Sequence, residues 1–214
     1  MYIPLVYFGG TFDPVHQGHL RIALNICAYL KVDHVTLLPN VTQVYRKPAV
    51  ANPIHRLTML KIAIARYKNI VIDDREIQKD TFYSVDTALR LRQKYGSYRP
   101  IVMCLGIDSF NYFDCWYHWQ DILSYVHLLV LNRPNISTHM NSKLIHWYQK
   151  NACFDTHILL QKPAGLIHFA NLGKYNISAT AVRSCFLTDS KISADFLNPA
   201  VFTYAIKQHL YRYE

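Results

Sequence analysis

Apolar positions along this chain fall into short continuous runs and longer amphipathic stretches, one kind following the other from end to end. Residues 3–8 form an apolar run that stops at Gly9-Gly10. Leu20, Ala23, Leu24, Cys27 and Leu30 then recur at the three-and-four spacing of a helix. A second run, residues 35–38, ends at Pro39, and a loop with Pro48 and Pro53 follows. Leu57, Leu60, Ile64 and Tyr67 mark a second helix, and residues 70–72 a short strand. Ser84 is placed to cap a third helix carrying Val85, Ala88 and Leu89.

Residues 100–105 repeat the buried-strand pattern and close on Gly106. The spacing predicts helix over residues 116–123, strand over 127–131 and helix over 141–150. Residues 158–160 and 166–169 read as late strands. Ser178 opens a short helix, and Pro199 opens the last one. Strands alternating with helices predict βαβ units: an α/β protein whose parallel sheet is covered by helices on both faces. No repeat, low-complexity tract or linker interrupts the pattern, so one domain over residues 1–214 is expected, with a helical C-terminal part over about 176–214.

Composition agrees with a packed globule: 51% hydrophobic and 17% charged residues in a chain of 214. No apolar run reaches the ~20 residues of a membrane helix, and the apolar start lacks a basic leader. Cys27, Cys104, Cys115, Cys153 and Cys185 are odd in number and show no CxxC pair. That argues against a disulfide frame or a zinc site, and for the cytoplasm. The net charge of +9 fits either nucleic acid or a phosphate pocket. Lys and Arg are scattered, which favours the pocket.

The candidate chemistry lies in two places. Gly9-Gly10-Thr11-Phe12-Asp13-Pro14-Val15-His16-Gln17-Gly18-His19 follows the first strand. Ligands of open α/β sheets bind at such strand ends. Two glycines allow a sharp turn and a close approach to backbone N–H groups, and the next helix offers its positive end to a phosphate. His16 and His19, three apart, share a face and stabilise charge building on one anion. The second place is Ile177-Ser178-Ala179-Thr180-Ala181-Val182-Arg183, where Ser178 caps the helix. A hydroxyl on Thr180 and the guanidinium of Arg183 make a phosphate clamp with the free helix N–H groups.

The first string closely resembles the GGTFDPxHxGH signature of the HxGH nucleotidyltransferases, and ISATAVR resembles their second signature. The GIDSF strand end with Gly106 and Asp108, the CWYHW stretch, the HLLVLNRP strand with Arg133 and the C-terminal FLNPAVFTYAIKQHLY extend the likeness over nearly the whole chain. It is that of the bacterial-type nicotinate mononucleotide adenylyltransferase family. The resemblance implies a Rossmann-like doubly wound sheet and transfer of AMP from ATP to nicotinate mononucleotide, with Mg²⁺ carried by the phosphates. It assigns phosphate and catalytic roles to His16, His19 and Arg183, and further ATP contacts to Gly9, Gly10, Thr11, Phe12, Gly106, Asp108, Ser178 and Thr180. Asp108 meets a ribose or orients a histidine. Trp116 and Tyr117 would hold the nicotinate ring and Thr87 its carboxylate, with Arg46, Lys47 and Arg133 also on the mononucleotide. One departure stands out: where the family often has Pro-Pro-His-Lys/Arg, this chain reads Gln43-Val44-Tyr45-Arg46-Lys47.

Small-molecule substrates are expected, with neither nucleic acid nor membrane; a homo-oligomer is left open. Two relatives of that chemistry compete, acting on nicotinamide mononucleotide or on phosphopantetheine. The aromatic pair argues against the thin pantetheine arm, as does HQGH in place of TxGH. A non-enzymatic RNA-binding module would use the charge but leave both motifs unexplained.

Overall fold

The computed structural model describes every residue except 1, 42–47, 78–82, 134–136, 174, 176, 188–193 and 213–214. Six strands form one sheet: β1 (Leu5–Gly10), β2 (Val35–Pro39), β3 (Ile70–Ile72), β4 (Ile101–Gly106), β5 (His127–Leu131) and β6 (Ile167–Ala170). Their order is β3-β2-β1-β4-β5-β6, and every pairing is parallel. The chain winds outward from β1 in one direction, then returns to start again at β4. The crevice between the carboxyl ends of β1 and β4 is therefore the topological switch point, where such sheets bind ligands.

Successive strand residues face opposite sides of a sheet, and the core divides on that period. Val6, Phe8, Val102, Cys104, Leu129 and Leu131 pack on one face. They meet α1 (Gln17–Leu30), α2 (Pro53–Ile64), α7 (Ala179–Leu187) and α8 (Pro199–Lys207). Tyr7, Ile101, Leu105, Leu128 and Val130 pack on the other, against α3 (Ser84–Tyr95) and α5 (Ser142–Asn151). No helix among the described residues is long and apolar enough to cross a membrane.

Three local expectations are corrected. Residues 158–160 lie in a helix, α6 (Thr156–Gln161), because the Asp155 carboxylate caps it by accepting from the His157 N–H. Leu159 alone of that run is fully buried, as a one-sided helix requires. Residues 116–123 form no α-helix. Phe113–Cys115 and Trp119–Ser124 are two 3-10 turns, separated by an extended Trp116 and a left-handed His118. Ser84 starts α3 without capping it; Tyr83 holds the cap position, with no side-chain bond.

The carboxyl edge of the sheet is tied together by two buried charges. Arg56 of α2 is fully buried, and its guanidinium donates to the carbonyls of Thr11 and Asn40 at 2.6 Å and of Ala51 and Val41 at 3.2 Å. It thus staples the loops after β1 and β2 to the start of α2. Asp13 accepts from the N–H groups of Val50 and Ala51 and from the Tyr211 hydroxyl at 2.7 Å. Arg183 of α7 donates to the Asp13 carbonyl at 2.7 Å. The first loop, the entry to α2 and the C-terminal helices are held as one piece around a carboxylate and a guanidinium.

Replacing Arg56 by Met keeps the stem's volume and leaves those carbonyls buried without a donor. Each orphaned polar group costs on the order of 1–3 kcal/mol, so the variant should lose about 3 kcal/mol or more. Urea denaturation checks this; a midpoint within error of the wild type would show that the staple is dispensable.

Candidate active site

The turn between β1 and α1 builds the site from steric necessity. Phe12 adopts a left-handed backbone (φ 50°), which swings its ring back beneath the glycines. A Cβ on Gly10 would lie 2.9–3.2 Å from that ring, so only glycine fits there. The Phe12 ring in turn meets Phe8 and His19 edge-on, at 5.9 and 5.0 Å between centroids. His19 is seated on a packed aromatic floor.

His16 is the residue before the first turn of α1, with extended backbone. Its N–H donates to Nδ1 of His19 at 3.2 Å, and the two rings stack at 3.7 Å. A Cβ on Gly18 would approach His16 Nδ1 and Cε1 to about 3.0 Å, so the glycine between the histidines makes room for the first ring. Because Nδ1 of His19 accepts this hydrogen bond, the neutral ring carries its proton on Nε2. Burial pushes His16 down to about 3, with the Arg133 charge adding to it. Burial, then His16 and Arg133, hold His19 well below its ordinary value. Both rings are neutral near pH 7. They offer N–H groups rather than full charges. His16 Nδ1 is buried with no hydrogen-bond partner among the described residues.

The cleft in front of this pair encloses about 520 Å³, and its walls include Gly106, Arg133, Tyr175 and Ile177. Arg133 Nη1 lies 3.6 Å from Asp108 Oδ2 across the end of β4. Asp108 stands in the first turn of α4 (Ile107–Phe110), with its Oδ1 against the place a Gly106 Cβ would occupy. Arg183 reaches the first loop through Asp13, and its Nη2 donates to Thr180 Oγ1 at 3.4 Å. Ser178 caps α7 by accepting from the Ala181 N–H. The two sequence motifs, one ending at His19 and the other beginning at Ile177, are thus joined in space.

A second cavity of about 490 Å³ opens on the other side of the β1 and β4 ends. Gly9, Asn40, Glu76, Ser84, Ser109 and Trp116 are among its walls. Trp116 is half-buried, with one ring contact to Phe113 at 4.8 Å. Tyr117 is half-exposed, and its ring meets that of Tyr83 at a tilt, 4.4 Å between centroids.

The expected site residues come together in part. His16, His19, Gly106 and Arg133 share the first cleft, and Gly9 and Trp116 the second. The Thr11 backbone carbonyl is bound by Arg56, so this residue helps to hold the turn. Thr87 needs correction: it is fully buried, and its hydroxyl donates to Glu76 Oε1 at 2.6 Å. Ser84, one turn earlier on α3, is the hydroxyl residue at the cavity wall. Arg46 and Lys47 lie outside the described residues. Asn40, Glu76, Ser84, Ser109 and Tyr175 were not foreseen at the cavities, nor Arg56 beneath them. For Asn40 a signal exists: it follows Pro39 at a strand's carboxyl end. For Glu76 there is none, because a buried carboxylate within Asp73-Asp74-Arg75-Glu76 reads as part of a solvated turn.

Comparison with known proteins extends these findings. The family model described as cytidylyltransferase-like matches residues 7–184. A protein of Psychromonas ingrahamii, named probable nicotinate-nucleotide adenylyltransferase, is 35% identical over 208 residues, which cover 96% of each chain. One of Serratia proteamaculans with the same name is 36% identical over 96% of this chain and 94% of its own. Among solved structures, Plasmodium falciparum nicotinic acid mononucleotide adenylyltransferase complexed with NaAD superposes with a TM-score of 0.75 at 15% identity, covering 100% of this chain and 99% of that one. That likeness adds support for the doubly wound sheet. With a family model over most of its length and relatives this similar along nearly all of it, the chain belongs to the cytidylyltransferase-like family, and within it to the nicotinate-nucleotide adenylyltransferases.

Proposed function

We propose that this chain transfers AMP from MgATP to nicotinate mononucleotide, giving nicotinate adenine dinucleotide and pyrophosphate. The observation that carries the reading is the neutral, stacked His16–His19 pair at the sheet's switch point, with one cavity on either side of the strand ends. The names of the relatives agree with it. ATP would lie in the first cleft and the mononucleotide ring in the second, beside Trp116.

The chemistry needs no covalent enzyme intermediate. A phosphate oxygen of the mononucleotide attacks the α-phosphorus of ATP in line. The bond from that phosphorus to the bridging oxygen breaks, and pyrophosphate leaves. The protein's task is positioning and charge stabilisation. His19 Nε2–H and the His16 ring would donate to phosphate oxygens as negative charge shifts towards the leaving group. Arg183 and Arg133 would supply full positive charge, with Ser178 and Thr180 holding the start of α7 against the triphosphate. Mg²⁺ would arrive on the ATP phosphates and keep most of its waters. A cytoplasmic setting fits the five unpaired cysteines.

His19→Gln should lower turnover by roughly two to four orders of magnitude, since it removes an oriented N–H donor. Circular dichroism and the melting temperature should stay close to wild type. Pyrophosphate release from MgATP, with nicotinate and nicotinamide mononucleotides side by side, measures the activity and the substrate together. Near-normal turnover in His19→Gln would remove the histidines from the mechanism. Preference for the amide would keep the chemistry and change the substrate.

The neutral state of the histidines has a sign of its own. The unfolded chain protonates His16 near pH 6.5, whereas the folded chain does so only near 3. Between those values the unfolded state binds the extra proton, so stability falls on acidification through that window and is unaffected above it. From pH 7 to pH 5 the His16 contribution is about 2 kcal/mol. Urea titrations at the two pH values, with His16→Asn for comparison, should show a shallower loss in the variant. An equal loss in both would mean that His16 is already charged in the fold.

A further inference from the structure

Glu76 is a buried carboxyl group in the wall of the second cavity, with no assigned part in the transfer. It lies in the turn after β3, where the Ile77 N–H donates to the Asp74 carbonyl. The Thr87 hydroxyl of α3 donates to its Oε1 at 2.6 Å. An oxygen that accepts this bond is a poor place for the carboxyl's own proton. When Glu76 is protonated, the proton therefore sits on Oε2, where it is not spent on Thr87.

We propose that Glu76, oriented by Thr87, determines specificity in the mononucleotide cavity: its protonated form donates a hydrogen bond to an acidic ring substituent, and its ionised form repels that substituent and accepts from an amide. The inference rests on the reading of the second cavity as the mononucleotide's. Burying two ionised carboxylates side by side is costly, so an acidic ring and an ionised Glu76 exclude one another. Binding the acid then carries a proton into the site, while binding the amide does not.

The surroundings place this switch in a usable range. Burial raises Glu76 to about 7, and the nearby Asp73 raises it further, against the lowering effects of the Thr87 bond and Arg75. Asp73 and Arg75 are locked to each other, Nη2 to Oδ2 at 2.6 Å. Tyr7 of β1 and Tyr95 of α3 border that pair, and burial keeps the Tyr7 phenol protonated. Cys104 of β4 shares the cavity wall, and burial pushes its thiol up, so it stays neutral. Thr87 and Ser84 are the facing residues of α3, and Asn40 faces from the end of β2. Glu76 is the group that burial brings to about 7.

The test compares kcat/KM for nicotinate and nicotinamide mononucleotides from about pH 6 to about pH 8.5. Phosphate ionisation and the histidines are common to both substrates and cancel in the acid-to-amide ratio. In the wild type this ratio should fall towards tenfold per pH unit above about 7. Glu76→Gln, whose amide always has an N–H to offer, should make the ratio independent of pH. Thr87→Val removes a bond that favours the ionised form, so the fall should move to higher pH. Proton uptake on binding without ATP, measured by calorimetry in two buffers of different ionisation enthalpy, should be greater for the acid than for the amide, and equal for both in Glu76→Gln. A flat wild-type ratio, an unchanged slope in Glu76→Gln, equal proton uptake, or no binding of the acid would overturn the role. Unequal uptake without turnover of either substrate would uphold it and sink the proposed reaction instead.

Discussion

The Asp13 carboxylate is the point on which the site depends. It lies within the first loop, and burial would make it costly were it not satisfied from three directions: two backbone N–H groups at the entry to α2, a tyrosine hydroxyl near the C-terminus and the neighbouring guanidinium of Arg183. These partners come from segments some 37 to 198 residues away. Each bond stabilises only modestly, but removing any one leaves a buried charge short of a partner. The loop that presents the histidines is therefore fixed by the whole fold. Arg56 does the same from below, through carbonyls of the loops after β1 and β2.

That rigidity explains how a protein with a net charge of +9 keeps its two central histidines neutral. Burial above all, and then the nearby Arg133, oppose a charge on either imidazole. The division of labour is physical. In the proposed reaction, full positive charge would come from Arg133 in the cleft wall and Arg183 beside the first loop, and directed N–H groups from the histidines, which need not be reorganised when charge moves.

The architecture was legible in the sequence because its signal is periodic. Runs such as residues 127–131, closed by polar residues, admit one reading, and the order of elements then dictates a parallel sheet. Where the period was too short the reading failed: Ile158-Leu159-Leu160 fits strand or helix equally, and only the Asp155 cap decides. At the site, the loop motifs were legible because glycine and histidine at fixed spacing have few structural uses together. Thr87 was misplaced because a hydroxyl near a helix start gives no sign of which way it points. The three residues from Ser84 to Thr87 are nearly a full turn, yet one lines the cavity and the other lies beneath it. Arg56 was invisible in its role, since its partners are backbone carbonyls, and backbone leaves no mark in the sequence; Asp13 was too, since its partners lie 37 to 198 residues away.

The first motif is therefore mostly a record of space. Gly10 yields to the Phe12 ring, Gly18 yields to the His16 ring, Phe12 props His19, and Asp13 anchors the loop. His16 and His19 alone present ring N–H groups to the cleft. A larger residue at Gly18, in the wall of the cleft, would displace the His16 ring. Substitutions at the glycines should then act through His16 and His19, and their effects should not add to those of changing the histidines themselves. The same reasoning sets the fold and the proposed chemistry on one footing: the packing parts of this motif fix the two rings that would receive a substrate's charge.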